Sequence, residues 1–254
     1  MKYAALILDY DGTTAPYSYQ ELPKLPSKKV QTALKTASQH LSVIFATSRP
    51  LPHMKPILSH LNMNGYTILA SGAQIIDSHT LKTIWKKSVD PSVIPMLLQL
   101  IDKYHLEAYW YDFSQRQQVS EKMLSNQTQM AYMYLTNIPL KYQETIEFRL
   151  KELSALSVHK FYSPEKGVSE IIVSDIVATK LHAIVHVAKL LNIDTKTMIG
   201  AGDNHNDFPL LMACGLKIAM GNSVPELKVI ADFVAPSVDE DGVATVIEKF
   251  ILNQ

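Results

Sequence analysis

Short apolar runs followed by segments of helical period recur at both ends of this 254-residue chain, and no other feature limits its fold more. Residues 4–8 read as a buried strand, 27–39 as a helix with Val30, Leu34 and Ala37 on one face, and 41–46 as a second strand. A helical segment follows Pro50, and 66–70 read as another strand. The rhythm returns near the other end, with a helix opened by Thr179 and running to Leu191, a strand at 197–201, a helix after Asn206 and a strand at 216–220. Strands that alternate with helices pair in parallel through right-handed crossovers. The spacing therefore predicts an α/β fold: a doubly wound, Rossmann-like parallel sheet built from both ends.

Between the ends the texture changes. Strand-like pieces at 106–112, 158–161 and 168–173 are interleaved with helical ones at 91–104, 121–135 and 143–153. Such a mixture suits an inserted α+β module, so residues 1–80 and 171–254 are expected to form the core and 81–170 a cap-like insertion.

Composition sets bounds on partners. A hydrophobic content of 47% supplies a sizeable core, and the 24 basic residues balance the 24 acidic ones. No global field is left to attract nucleic acid or an anionic membrane. Cys214 is the single cysteine, so no internal disulfide forms. The first apolar run is short and leads straight into Asp9 and Asp11, and no stretch reaches the roughly 18 apolar residues of a membrane span. A soluble cytoplasmic protein is expected; its oligomeric state is not legible.

Asp9-Tyr10-Asp11-Gly12-Thr13 directly follows the first strand. In open parallel sheets the reactive crevice lies beyond the carboxyl ends of the strands, and two carboxylates are placed there. A plain Asp-Gly turn would look the same, but other strand ends carry polar residues too. Thr47 closes the second strand within Thr47-Ser48-Arg49-Pro50, Lys180 begins the helix after Thr179, and Gly202-Asp203-Asn204-His205-Asn206-Asp207 follows the strand at 197–201. Met220-Gly221-Asn222 then closes the next strand with a turn that packs beside them. Asp203 and Asp207 also have an ordinary reading as caps of the following helix.

These motifs, in this order, resemble the haloacid dehalogenase superfamily, whose four motifs match Asp9/Asp11, Thr47, Lys180 and Asp203/Asn206/Asp207. The insertion resembles the large cap of the Cof-type sugar-phosphatase branch, as do Thr47-Ser48-Arg49-Pro50, Ser71-Gly72-Ala73, Met220-Gly221-Asn222 and Asp241-Gly242-Val243-Ala244. Ser71 and Ser48 stand where that branch more often has asparagine and glycine. The resemblance implies a magnesium-dependent phosphatase acting on a small phosphate ester, sugar phosphates foremost, with Asp9 as nucleophile and Asp11 as general acid and base. It implies a Mg2+ shell from Asp9, Asp203 and the Asp11 backbone carbonyl, with Asn206 and Asp207 outside it. Thr47, Ser48, Arg49, Lys180 and Asn206 would bind substrate, although a solvated loop arginine fits Arg49 equally well. His205 reads as a bystander, and packing suits Tyr109-Trp110-Tyr111 better than a place in the substrate chamber. Two other readings stay open, a phosphomutase or phosphotransferase on sugar phosphates, and a non-catalytic phosphometabolite-binding regulator.

Overall fold

The structure, a computed structural model, describes residues 2–18, 22–120, 129–163 and 167–253. In chain order the elements are β1 (Ala5–Leu8), α1 (Lys28–Ala37), β2 (Ser42–Ala46), α2 (Leu51–Leu61), β3 (Tyr66–Leu69), β4 (Gln74–Asp77) and β5 (Thr83–Lys86). Then come α3 (Ile94–Tyr104), β6 (Glu107–Tyr111), β7 (Arg116–Gln118), β8 (Tyr132–Pro139), α4 (Leu140–Lys151), β9 (Leu156–Ser163) and β10 (Val168–Asp175). The last group is α5 (Lys180–Leu191), β11 (Met198–Gly202), α6 (Phe208–Ala213), β12 (Leu216–Ala219), α7 (Pro225–Ile230), β13 (Phe233–Val234) and α8 (Gly242–Ile247).

The chain divides into two compact units, one of residues 1–85 and 180–254, the other of residues 86–179. The first holds a sheet ordered β13-β12-β11-β1-β2-β3-β4-β5, parallel from β13 to β3, with β4 antiparallel to β3. Ser27 caps α1 by accepting the Val30 N–H, and Val30, Leu34 and Ala37 are its buried face. Every residue of β1 is buried; Ala5 and Ile7 join a cluster with Ala183 and Val187 of α5 and Leu210 of α6. A strand covered on both faces has no polar side to show, which is why residues 5–8 are apolar without alternation.

The topology fixes where chemistry can sit. β1 lies between β2, its neighbour in sequence, and β11, some 190 residues on, with Ala5 opposite both Ser42 and Met198. The strand order reverses at that point, and the carboxyl edge of such a reversal opens a crevice flanked by loops of both halves.

The second unit is a five-stranded antiparallel sheet, ordered β7-β6-β8-β10-β9. Ile94 and Leu97 of α3 and Ile146 and Leu150 of α4 pack with Met133, Leu135, Ile171 and Val173 of the sheet. Trp110 packs against this cluster, and the Tyr111 ring lies 5.4 Å from that of Tyr132.

Two expectations need correction. The helix expected at 121–135 lies partly outside the described residues, at 121–128, and the rest of it enters β8. Residues 130–135 are apolar or aromatic at every position, so neither period is visible, and pairing with β6 and β10 decides for a strand. The boundaries at 80 and 171 also move. β5 is the edge strand of the first sheet, and β10 is laddered between β8 and β9, so a cut at 171 would split a strand from its own sheet.

Candidate active site

The loop after β1 is wound tightly enough to set two carboxylates at the strand's end. Gly12 has φ of +84°, its N–H donates to the Ala15 carbonyl at 2.7 Å, and the Thr14 hydroxyl donates to the Asp9 carbonyl at 2.6 Å. A Cβ at Gly12 would stand 2.5 Å from Asp203 Oδ2, so both conformation and space require glycine. Between the carboxylates, Tyr10 is fully buried; its ring meets Phe45 edge-on at 5.4 Å and its hydroxyl donates to the Lys24 carbonyl at 2.8 Å. Tyr10 thus anchors the segment while Asp9 and Asp11 stand on either side of it.

Lys180, at the start of α5, is the centre of the arrangement. Its Nζ lies 2.6 Å from Asp9 Oδ1 and 2.6 Å from Asp207 Oδ1, all three residues being buried. The second oxygen of Asp207 accepts the backbone N–H groups of Asp203 and Asn204 at 2.9 and 3.0 Å. Asp207 therefore caps the turn and holds the lysine at once, and both of its oxygens are engaged. The Asp203 side chain is not part of the cap: its Oδ1 accepts the Thr13 hydroxyl at 2.8 Å and its Oδ2 the Tyr17 hydroxyl, which also accepts from Asn204 Nδ2 at 3.2 Å.

Asp9, Asp203 and Asp207 offer carboxylate oxygens within 4.8 Å of one another. Three buried anions against one ammonium leave an excess of negative charge, and proton affinity shows it. Burial first, then the Asp207 and Asp203 charges, push the Asp9 carboxyl well above its usual range against the pull of Lys180. Burial and Asp207 push Asp203 up to about 7, with the Tyr17 and Thr13 hydroxyls opposing. Burial disfavours the Lys180 cation, but Asp207 and Asp9 outweigh it and hold the ammonium above its usual range. An all-oxygen, net-negative, buried donor set suits a hard divalent cation. Among the described residues, Asp9, Asp203 and Asp207 are the three carboxylates that could contribute to holding one.

A second string of polar groups runs from the end of β2. Thr47 Oγ1 accepts the Arg49 N–H at 3.1 Å, and Ser48 Oγ accepts from Ser71 Oγ at 2.9 Å and from Asn206 Nδ2 at 3.2 Å. Arg49 is not a solvated loop arginine: it grips Asp11 with two parallel bonds, Nε to Oδ2 at 2.7 Å and a terminal nitrogen to Oδ1 at 2.8 Å. Asn222 ties the β12 loop in by donating to the Gly12 carbonyl at 2.8 Å. His205 is exposed, its ring stacked on Phe208. Sequence reasoning gave no role to Thr13 or Tyr17. Thr13 lay inside a motif already noted, whereas an isolated tyrosine in Pro16-Tyr17-Ser18 carries no signal of its own.

The family model for haloacid dehalogenase-like hydrolases matches residues 6–160 and 113–247. The chain belongs to that family, in its Cof-type branch, and is an enzyme of the phosphoric monoester hydrolase class. Among curated relatives, the 5-amino-6-(5-phospho-D-ribitylamino)uracil phosphatase YcsE of Bacillus subtilis is 24% identical, over 97% of this chain and 95% of its own length. Two solved structures share the fold at a TM-score of 0.81: a haloacid dehalogenase-like hydrolase from Bacillus subtilis, 19% identical and covering 99% of this chain and 100% of the other, and BT1666 from Bacteroides thetaiotaomicron, 17% identical and covering 98% and 95%.

Proposed function

We propose that the protein is a magnesium-dependent phosphatase of small phosphorylated metabolites that works through an aspartyl-phosphate on Asp9. The observation that carries this reading is the Lys180 ammonium bridging Asp9 and Asp207 beside Asp203, at the strand-order reversal. A phosphate dianion brought against such a cluster meets about 4 kcal/mol of repulsion per unit-charge pair at roughly 4 Å and an effective dielectric of about 20. Lys180 supplies one compensating charge. A magnesium ion held by Asp9, Asp203 and the Asp11 carbonyl would supply the rest, by neutralising charge on the phosphoryl oxygens.

In the first step an Asp9 oxygen bonds to phosphorus as the ester P–O bond breaks, and Asp11 gives its proton to the departing oxygen. In the second, water loses a proton to Asp11 while its oxygen bonds to phosphorus and the Asp9–phosphorus bond breaks. Lys180 stabilises charge on the transferring group, and Thr47, with Ser48 and Asn206 behind it, offers hydroxyl and amide contacts to the phosphate. Asp207 works through Lys180 and through the backbone it caps.

Residues 86–179 are the part proposed to act as cap and to choose the leaving group, since the acidic cluster treats any phosphate ester alike. Sugar and polyol phosphates lead the candidates, because YcsE by its name acts on a phosphate carried by a ribityl chain. Among the described residues no helix is long and apolar enough to cross a membrane, in keeping with a proposed place in the cytoplasm. The test is phosphate release over a panel of sugar phosphates, nucleotides and phosphorylated cofactors. Activity should vanish with EDTA and return with Mg2+, and Asp9→Asn should lose on the order of 10⁴-fold or more while staying folded. An Asp9→Asn protein with normal turnover, or full activity in EDTA, would refute the reading.

A further inference from the structure

The geometry points to Arg49 as the positioning residue for Asp11, holding that carboxyl in line with the leaving oxygen. This rests on the phosphatase reading above and adds to it a residue whose effect is specific to proton transfer. Asp11 sits on a wound loop with two free torsions, and a general acid must bring one oxygen to within roughly 2.6–3.2 Å of the atom it protonates. The Arg49 fork removes that freedom. Both bonds are short, and the two side chains are only 13% and 18% exposed, so this is a sheltered, planar pair rather than a surface contact. A carboxylate has about four lone-pair sites, and the fork uses two.

Arg49 is itself built as a fixed post. Its N–H donates to Thr47 Oγ1 at 3.1 Å, its carbonyl accepts the Ala70 N–H at 3.0 Å, and its guanidinium also donates to the Ser18 carbonyl at 2.8 Å. The Ser18 contact ties the guanidinium to the same loop that carries Asp11. Because Thr47 Oγ1 accepts from Arg49, the threonine's own proton is directed elsewhere. One residue thereby sets both the acid and a hydroxyl at the end of β2.

The experiment compares two esters on the whole protein with Mg2+: ribose 5-phosphate, whose alkoxide needs a proton to leave, and p-nitrophenyl phosphate, whose phenolate does not. The value of kcat/KM reports the steps through formation of the phosphoenzyme. Arg49→Ala should lower it by roughly 100-fold or more for ribose 5-phosphate and by less than about 5-fold for p-nitrophenyl phosphate. Arg49→Lys, which cannot form the fork, should fall between Arg49→Ala and wild type. Asp11→Asn should show the same dependence on leaving group, and the double variant should be no worse than Asp11→Asn alone. Equal losses on both esters, or additive losses in the double variant, would overturn the role given to Arg49. A wild type that hydrolyses neither ester would instead overturn the phosphatase reading and the inference with it. Circular dichroism and melting of each variant separate a lost fold from a misaligned acid.

Discussion

Asp203 is placed where ionisation is disfavoured, and two hydroxyls partly offset the cost. Thr13 and Tyr17 each donate to one of its oxygens, yet burial and the Asp207 charge still carry the group up to about 7 from an ordinary value near 3.9. A raised carboxyl favours the folded state in its acid form. Its contribution is therefore complete below about pH 4 and is lost as pH climbs through about 7. In EDTA the melting temperature should fall from pH 5 to pH 8, Asp203→Asn should flatten that slope, and saturating Mg2+ should remove it in wild type. A wild-type slope matching that of Asp203→Asn in EDTA would show that the carboxyl is not under this strain. The same residue shows the limit of what sequence reveals. That Asp203 stands at a strand end is legible from its motif; that Tyr17, 186 residues away, reaches it is a product of tertiary placement alone.

At the scale of elements, α6 packs closely on β11, the strand that borders β1. Gly200 makes room: a Cβ there would stand 2.8 Å from Cys214 Sγ and 2.9 Å from Leu210 Cδ2. Gly200→Ala should cost about 1–3 kcal/mol by overpacking, read from urea unfolding, and an unchanged midpoint would show that α6 yields at no cost. Several core elements were legible: α1 through both a capping residue, Ser27, and a period in Val30, Leu34 and Ala37, and β1 as an unbroken apolar run. β8 was not, since Met130 to Leu135 has no polar position to mark a period. β4, β5 and β7 are four residues or fewer, and they exist because a neighbour offers a ladder rather than through any pattern of their own. Site residues on strand-end loops were legible as a set, while the Arg49 fork on Asp11 joins residues that sequence left apart.

Across the whole molecule, the two tryptophans report on the two units separately: Trp85 packs into the core of the first and Trp110 into that of the second. Mg2+ at about 100 times its Kd should stabilise the unit holding Asp9 and Asp203 by about 2.7 kcal/mol. Trp110→Phe, which leaves Trp85 as the probe, should show that shift in urea titrations followed by fluorescence, and Trp85→Phe should not. Equal shifts from both probes would mean that the units unfold as one. The partnership of β1 with β11 also sets when the cluster can exist. Asp9 and Lys180 are 171 residues apart in the chain, and Asp203 and Asp207 follow β11, so these four groups meet only once the two halves of the sheet have paired across the intervening unit.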